Sequence, residues 1–205
     1  MSIATYSDLQ TAISSWLERS DATSYAADWI TLAEARINRV LRVNRMLTRA
    51  SATISDEFSA APSDFAAPLS MRRKTSPYDQ LEFLTPEQMA NLKTTLPSGN
   101  LTAYALVGTE FWFSPTPSDA EDVELIYYAK VPALSTASPT NWLLTAYPDL
   151  YLRGALLEAA LFYEDDVEQQ KYEGLFRAAL EAIYAANLRD QQAATLSPTP
   201  SNIVA

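Results

Sequence analysis

Apolar residues recur with helical spacing at both ends of this chain and with strand-like patterning between them, and that order restricts the fold more than any other feature. Leu9, Ile13, Trp16 and Leu17 share one face of a helix over about residues 7–18. Trp29, Leu32, Ala33, Ile37, Val40 and Leu41 do the same over about 28–47. Ser7 and Gln10 have capping-box spacing, in which the hydroxyl takes a free N–H of the first turn and the amide reaches back to the cap. Helical spacing returns at Pro148, a residue suited to a first turn. Leu150, Leu152, Leu156, Leu157, Leu161 and Phe162 mark a helix over about 148–163; Tyr172, Leu175, Phe176, Ala179, Leu180 and Ile183 mark another over about 166–189. Each helix has a face to bury, so the N- and C-terminal pairs are expected to pack together.

Between them, Thr48 to Ser55 has small and β-branched residues without helical spacing and reads as a strand. Pro62, Pro68 and Pro77 confine residues 56–80 to loops and edge positions, with Met71 on a short strand. Thr85-Pro86-Glu87-Gln88 opens a helix over about 85–95. Tyr104 to Val107 and Phe111 to Phe113 flank Gly108-Thr109, a hairpin signal. Val123 to Val131 is expected to pair with that hairpin as a meander. The predicted fold is α+β: a helical body from the N- and C-terminal helices with a small antiparallel β-rich segment inserted at about 48–132. One domain over 1–190 and an extended tail over 191–205 complete the expected organisation.

The chain has no cysteine and no histidine, which excludes disulfides and thiolate metal sites and removes the commonest metal ligand and general base. No apolar run approaches the roughly 20 residues that span a bilayer, and Met1 to Tyr6 has no basic leader region, so synthesis in the cytosol without membrane contact is expected. The net charge of −10 opposes phosphate binding but suits a channel wall past which DNA slides. Arg36, Arg39, Arg42, Arg45, Arg49, Arg72, Arg73 and Lys74 are more than half of the 15 basic residues, whereas 158–190 is mainly acidic.

On a helical wheel Arg42, Arg45 and Arg49 fall opposite the apolar face, and Arg36 falls beside it, within reach of Glu34 or of a carboxylate on the C-terminal helices. Glu164, Asp165, Asp166 and Glu168 lack the glycine and alternating ligands of a calcium loop and read as the acidic start of a helix. Glu121 and Asp122 are adjacent on a strand, point to opposite faces, and so cannot flank one glycosidic bond. The rings of Phe111, Trp112, Phe113, Tyr127 and Tyr128 divide between two sheet faces; one set fills the core and the other covers a helix or a neighbouring subunit.

Tyr6-Ser7-Asp8-Leu9, Leu32-Ala33-Glu34-Ala35-Arg36-Ile37-Asn38-Arg39, Leu84-Thr85-Pro86-Glu87-Gln88, Asn141-Trp142-Leu143-Leu144 and Tyr147-Pro148-Asp149-Leu150-Tyr151 follow one another in an order that resembles the head-to-tail adaptor (connector) family of tailed bacteriophages, from about Tyr6 to about Arg189. The resemblance implies a structural protein of the virion without catalysis or cofactor. It implies a dodecameric ring that docks beneath the portal, continues the DNA channel without binding DNA specifically, and receives tail or nozzle proteins. Within that frame, Leu196, Pro198, Pro200, Ile203 and Val204 are the expected portal-docking tail. Arg42, Arg45 and Arg49 are expected to face Asp165, Asp166 and Glu168 of a neighbouring subunit, and Arg72, Arg73 and Lys74 to form a channel-facing loop. A cell-wall-degrading tail component would need two carboxylates meeting in a cleft, and a DNA-binding assembly factor a continuous basic surface.

Overall fold

The computed structural model describes residues 3–19, 21–76 and 78–195. In chain order the elements are α1 (Tyr6–Leu17), α2 (Ala22–Val40), β1 (Leu47–Ile54), β2 (Phe58–Ala60), β3 (Phe65–Arg73), β4 (Glu82–Phe83), α3 (Pro86–Thr95), β5 (Ser98–Gly99), β6 (Ala103–Val107), β7 (Glu110–Ser114), β8 (Thr116–Pro117), β9 (Glu121–Ala129), α4 (Trp142–Ala146), α5 (Pro148–Phe162) and α6 (Asp166–Thr195). The fold is α+β, as predicted, and divides into a helical unit of residues 1–44 with 131–205 and a β-rich unit of residues 45–130.

In the helical unit α5 packs against α1, α2 and α6. Leu150, Tyr151, Leu152, Gly154, Ala155, Leu156, Leu157, Ala159 and Ala160 are all buried on it, because neighbours cover it from several sides. The N- and C-terminal helices therefore share one core. At Gly154, α2 and α6 both come close to α5. A Cβ there would lie 3.2 Å from Ala33 Cβ on α2 and 3.2 Å from Phe176 Cε2 on α6.

Several helix limits differ from the sequence reading. The box that starts α1 is formed by Thr5 and Asp8 rather than Ser7 and Gln10: Thr5 Oγ1 accepts the Asp8 N–H at 3.2 Å, and Asp8 Oδ2 accepts the Thr5 N–H at 3.0 Å. An anion suits this end of the helix dipole, which an amide cannot match. Helix α2 spans Ala22–Val40 where 28–47 was expected, and Leu41 is already extended. Leu41 and Val43 are buried while Arg42 between them is not, so burial there follows a period of two, which a helix cannot supply. Helix α6 continues to Thr195, which makes residues 191–195 helical rather than extended.

The β unit holds two sheets of order β1-β9-β3 and β2-β7-β6-β4, with a short parallel β5–β8 pair. The hairpin forms across Gly108, whose φ of +63° suits a residue without Cβ. Strand β9 does not extend it into a meander. It pairs instead with β1 and β3, both antiparallel. Pro115 and Pro117 carry no N–H to continue the ladder, and the apolar faces of β9 and of the hairpin both need cover, which face-to-face packing provides. Val123, Leu125 and Tyr127 from one sheet meet Tyr104, Phe111 and Phe113 from the other. The Tyr127 hydroxyl is pushed up to about 12 by burial and by donating to Asp64 Oδ1 at 2.9 Å. Trp112 turns to the opposite face and packs with Met89 and Leu92 of α3, so the rings divide as their alternation predicts.

The two glycines on long helices provide opposed tests. Gly154→Val is expected to destabilise the protein by about 1–3 kcal/mol through overpacking. Gly174 has nothing within 4 Å of a built Cβ, so Gly174→Ala is expected to stabilise by about 1 kcal/mol through helix propensity. Urea denaturation of the two variants checks both signs.

Candidate assembly surfaces

Polar groups inside the helical unit hold its own backbone. Glu34 Oε1 accepts the Leu134 N–H at 2.8 Å and the Tyr151 hydroxyl at 3.3 Å. Asn141 Nδ2 donates to Tyr151 Oη and to the Pro132 carbonyl, both at 2.7 Å, while its Oδ1 accepts the Leu144 N–H and caps α4. Asn38 Oδ1 accepts the Val131 N–H at 2.8 Å. Helix α2 and the start of α5 thus pin the segment 131–141, which re-enters the unit. Arg36 on the same helix pairs with Glu158 at 2.7 Å, so of its two expected kinds of partner it takes the carboxylate on a C-terminal helix. Burial raises the Glu34 carboxyl above its usual range, opposed by the two hydrogen bonds it accepts. Burial likewise raises Tyr151, against the bond from Asn141 and with the Glu34 charge beside it.

The cations singled out in the sequence are largely engaged within the chain. Arg42 Nη1 donates to the Asn38 and Leu41 carbonyls at the end of α2, a cation at the negative pole of a helix. The wheel that grouped Arg42 with Arg45 and Arg49 does not apply. Arg45 lies in a 3-10 turn (Asn44–Met46), and Arg49 is on β1. Glu124 on β9 takes Arg49 from one neighbouring strand and Arg72 from the other, each at 3.3 Å. Arg72 and Arg73 are not in a loop: β3 runs through both, because it is an edge strand that absorbs Pro68 at a register shift. Arg73 is buried and pairs with buried Glu121 at 2.5 Å, whose other oxygen accepts the Leu101 N–H. Lys74 lies exposed just beyond, its N–H bonded to the Asp122 carbonyl.

Asp165 Oδ1 accepts the Glu168 N–H at 3.0 Å, and Glu168 pairs with Lys171, so these acids start α6. Glu121 and Asp122 do not share a cleft; Asp122 turns outward to accept from Thr53 Oγ1 at 2.6 Å. Leu196, Pro198, Pro200, Ile203 and Val204 lie outside the described residues.

Periodicity missed the apolar side chains left on the surface. Trp16 is 60% exposed although it shares the wheel face of Leu9 and Ile13, which are buried. It borders a cleft of about 320 Å³ with Ile3, Leu152, Tyr172 and Leu175. At the α5–α6 turn Phe162, 52% exposed, meets Tyr25 in a tilted pair at 4.9 Å, beside Trp29 and Tyr163. Arg19 lies over the Tyr163 ring at 4.1 Å. Leu32, Val40 and Val167 are exposed as well. A wheel shows which residues share a face but not which face finds a partner.

In the helical unit, then, the buried polar groups secure backbone, and several large apolar side chains face solvent. Residues 4–200 match the SU10 adaptor protein family, and the chain belongs to it, a family of phage head-to-tail adaptors. No curated protein matches the chain.

The Glu34 network gives a signed pH test. Because the folded-state value lies above the unfolded one, the stability that protonated Glu34 contributes is present below the ordinary carboxylate range and is lost as pH rises through the raised value. Glu34→Gln keeps an acceptor for Leu134 and Tyr151. Its stability relative to the native chain is therefore expected to be higher at about pH 8 than at about pH 4, as read by urea denaturation at each pH. Glu34→Ala leaves two buried donors unpaired and is expected to cost about 1–3 kcal/mol at either pH.

Proposed function

We propose that this protein is a structural head-to-tail adaptor of a tailed-phage virion, assembled after synthesis in the host cytoplasm as a dodecameric ring that docks on the portal. The observation that carries this reading is the match to the SU10 adaptor family over residues 4–200. The exposed Trp16, Tyr25, Phe162 and Val167 support it, since a subunit destined for a ring must leave apolar surface for its neighbours. The ring continues the DNA channel and receives tail or nozzle proteins on its far side. Residues 196–205, with Leu196, Pro198, Pro200, Ile203 and Val204, dock on the portal. Of the charges expected to meet between subunits, Arg45 and Asp166 are the pair proposed to do so, while Arg42, Arg49 and Glu168 are engaged within the chain; opposite charge there sets specificity and encounter rate more than affinity.

In this reading DNA passes without being gripped. The net charge of −10 supports that, as do the ion pairs that occupy Arg49, Arg72 and Arg73. Arg72 and Lys74 remain the candidates to face the bore. Arg73 is unsuited to a DNA test, since removing it strands the buried Glu121 at a cost of about 3–5 kcal/mol.

The test is co-assembly with the portal, with rotational symmetry counted by electron cryomicroscopy. A ring matching the portal's symmetry is expected. Deleting residues 196–205 should leave the fold intact and abolish attachment, and Arg45→Glu with Asp166→Lys tests the contact between subunits. Full attachment of the truncated chain would remove the tail from the proposal. A portal that never takes up the intact chain would remove the proposal itself.

A further inference from the structure

One side of the β unit is open. The sheet orders leave β1 and β2 as edge strands, and no backbone hydrogen bond joins them among the described residues. The opposite side is closed: Leu81 N–H donates to the Met71 carbonyl at 2.8 Å, Arg73 N–H donates to the Asp79 carbonyl at 2.9 Å, and Arg72 bridges to Gln80. Between β1 and β2 a cavity of about 210 Å³ reaches the core, with Ala50, Ala52, Ser59 and Ala61 at its mouth and Phe111 and Leu125 at its floor.

Edge strands are ordinarily short, or carry lysine or proline that blocks pairing. Strand β1 has eight residues, Leu-Thr-Arg-Ala-Ser-Ala-Thr-Ile, with neither lysine nor proline, and its one charged residue, Arg49, is paired across to Glu124 on β9. Ile54 at its end enters the core, but Ala50 and Ala52 before it are small, so beside them room is left for side chains from elsewhere. Asp56 beyond the end of β1 and Glu110 opposite Ala60 are exposed carboxylates, neither held by a basic residue among those described.

We propose that this slot accepts an extended segment of a partner protein as an added strand, with alternate side chains apolar and entering the cavity and the intervening ones basic. The unpaired backbone edges require an extended guest, and main-chain hydrogen bonds supply much of the affinity in this mode. The apolar floor selects alternate apolar residues, because only one face of a strand meets it. The exposed carboxylates of Asp56, just past β1, and Glu110, paired with Ala60 of β2, favour basic residues between the apolar ones. Residues 196–205 of this chain have no basic residue and carry prolines at 198 and 200, so they do not fit. The proposal stands apart from the ring reading, since it concerns only the β unit.

Hydrogen exchange of the full chain, read by mass spectrometry, tests it with an eight-residue peptide of alternating valine and lysine as the probe. Exchange across residues 47–54 and 58–60 is expected to slow by about tenfold or more on binding, with the helical unit unchanged. A peptide with serine in place of valine, and a peptide of residues 196–205, should leave exchange as it was. Ala52→Arg, which fills the mouth, should abolish the effect. The surface pair Asp56→Lys with Glu110→Lys, which does not touch the core, should weaken binding by about tenfold. Equal slowing by the serine peptide would reduce the site to charge attraction and overturn the proposal. So would no slowing by the valine peptide, slowing by the tail peptide, or an undiminished response in both variants. Slowing that appears without peptide as protein concentration rises would assign the slot to a second copy and overturn it too.

Discussion

The helical unit is discontinuous in sequence, and the buried hydrogen bonds around Glu34 hold its two parts together. The chain leaves after Asn44 and returns at Val131. Closing so long an excursion costs entropy that only contacts between the two parts can offset. Apolar packing of α2 on α5 supplies most of that, but packing alone does not specify where an irregular segment sits. The Leu134 and Val131 N–H groups are claimed by Glu34 and Asn38, the Pro132 carbonyl by Asn141, and Tyr151 links Glu34 to Asn141. Each buried polar atom in that set has a partner, which is the condition under which such a network specifies one arrangement.

The residues in this network lie in the short stretches on which the family resemblance rests: Glu34 and Asn38 in one, Asn141 in another, Tyr151 in a third. The stretch Thr85-Pro86-Glu87-Gln88 supplies the reciprocal cap of α3, and Asp8 of the first stretch supplies that of α1. A wording that looks like a list of unrelated fragments is, physically, a set of caps and internal anchors. It belongs to how the fold is held.

Charge is arranged on the same plan. The chain is strongly anionic, yet several of its arginines pair with its own acids across strands and helices, as in Arg36 with Glu158 and Glu124 between Arg49 and Arg72. Exposed pairs of this kind contribute little to stability. Their larger effect is to neutralise these cations locally. The buried Arg73–Glu121 pair differs, since breaking it leaves a charge in the core.

The amino-acid sequence by itself determined the α+β class, the helical ends, the hairpin at Gly108-Thr109, the cap at Thr85 and the division of the aromatic rings between two faces. All of these depend on periodicity or on residues within a few positions of one another, which is the range over which local sterics and hydrogen bonds act. What it left open required contact between distant segments. The end of α2 at Val40 depends on Leu41 and Val43 entering a core that the local pattern does not reveal. The pairing of β9 with β1 and β3, instead of with the nearer hairpin, depends on two apolar faces covering each other. Arg73 reads as a surface cation until Glu121 comes to meet it, and Trp16 reads as core until the other helices leave it uncovered. Periodicity marks a face as apolar, but only tertiary structure decides whether that face is buried within the chain or kept for a partner.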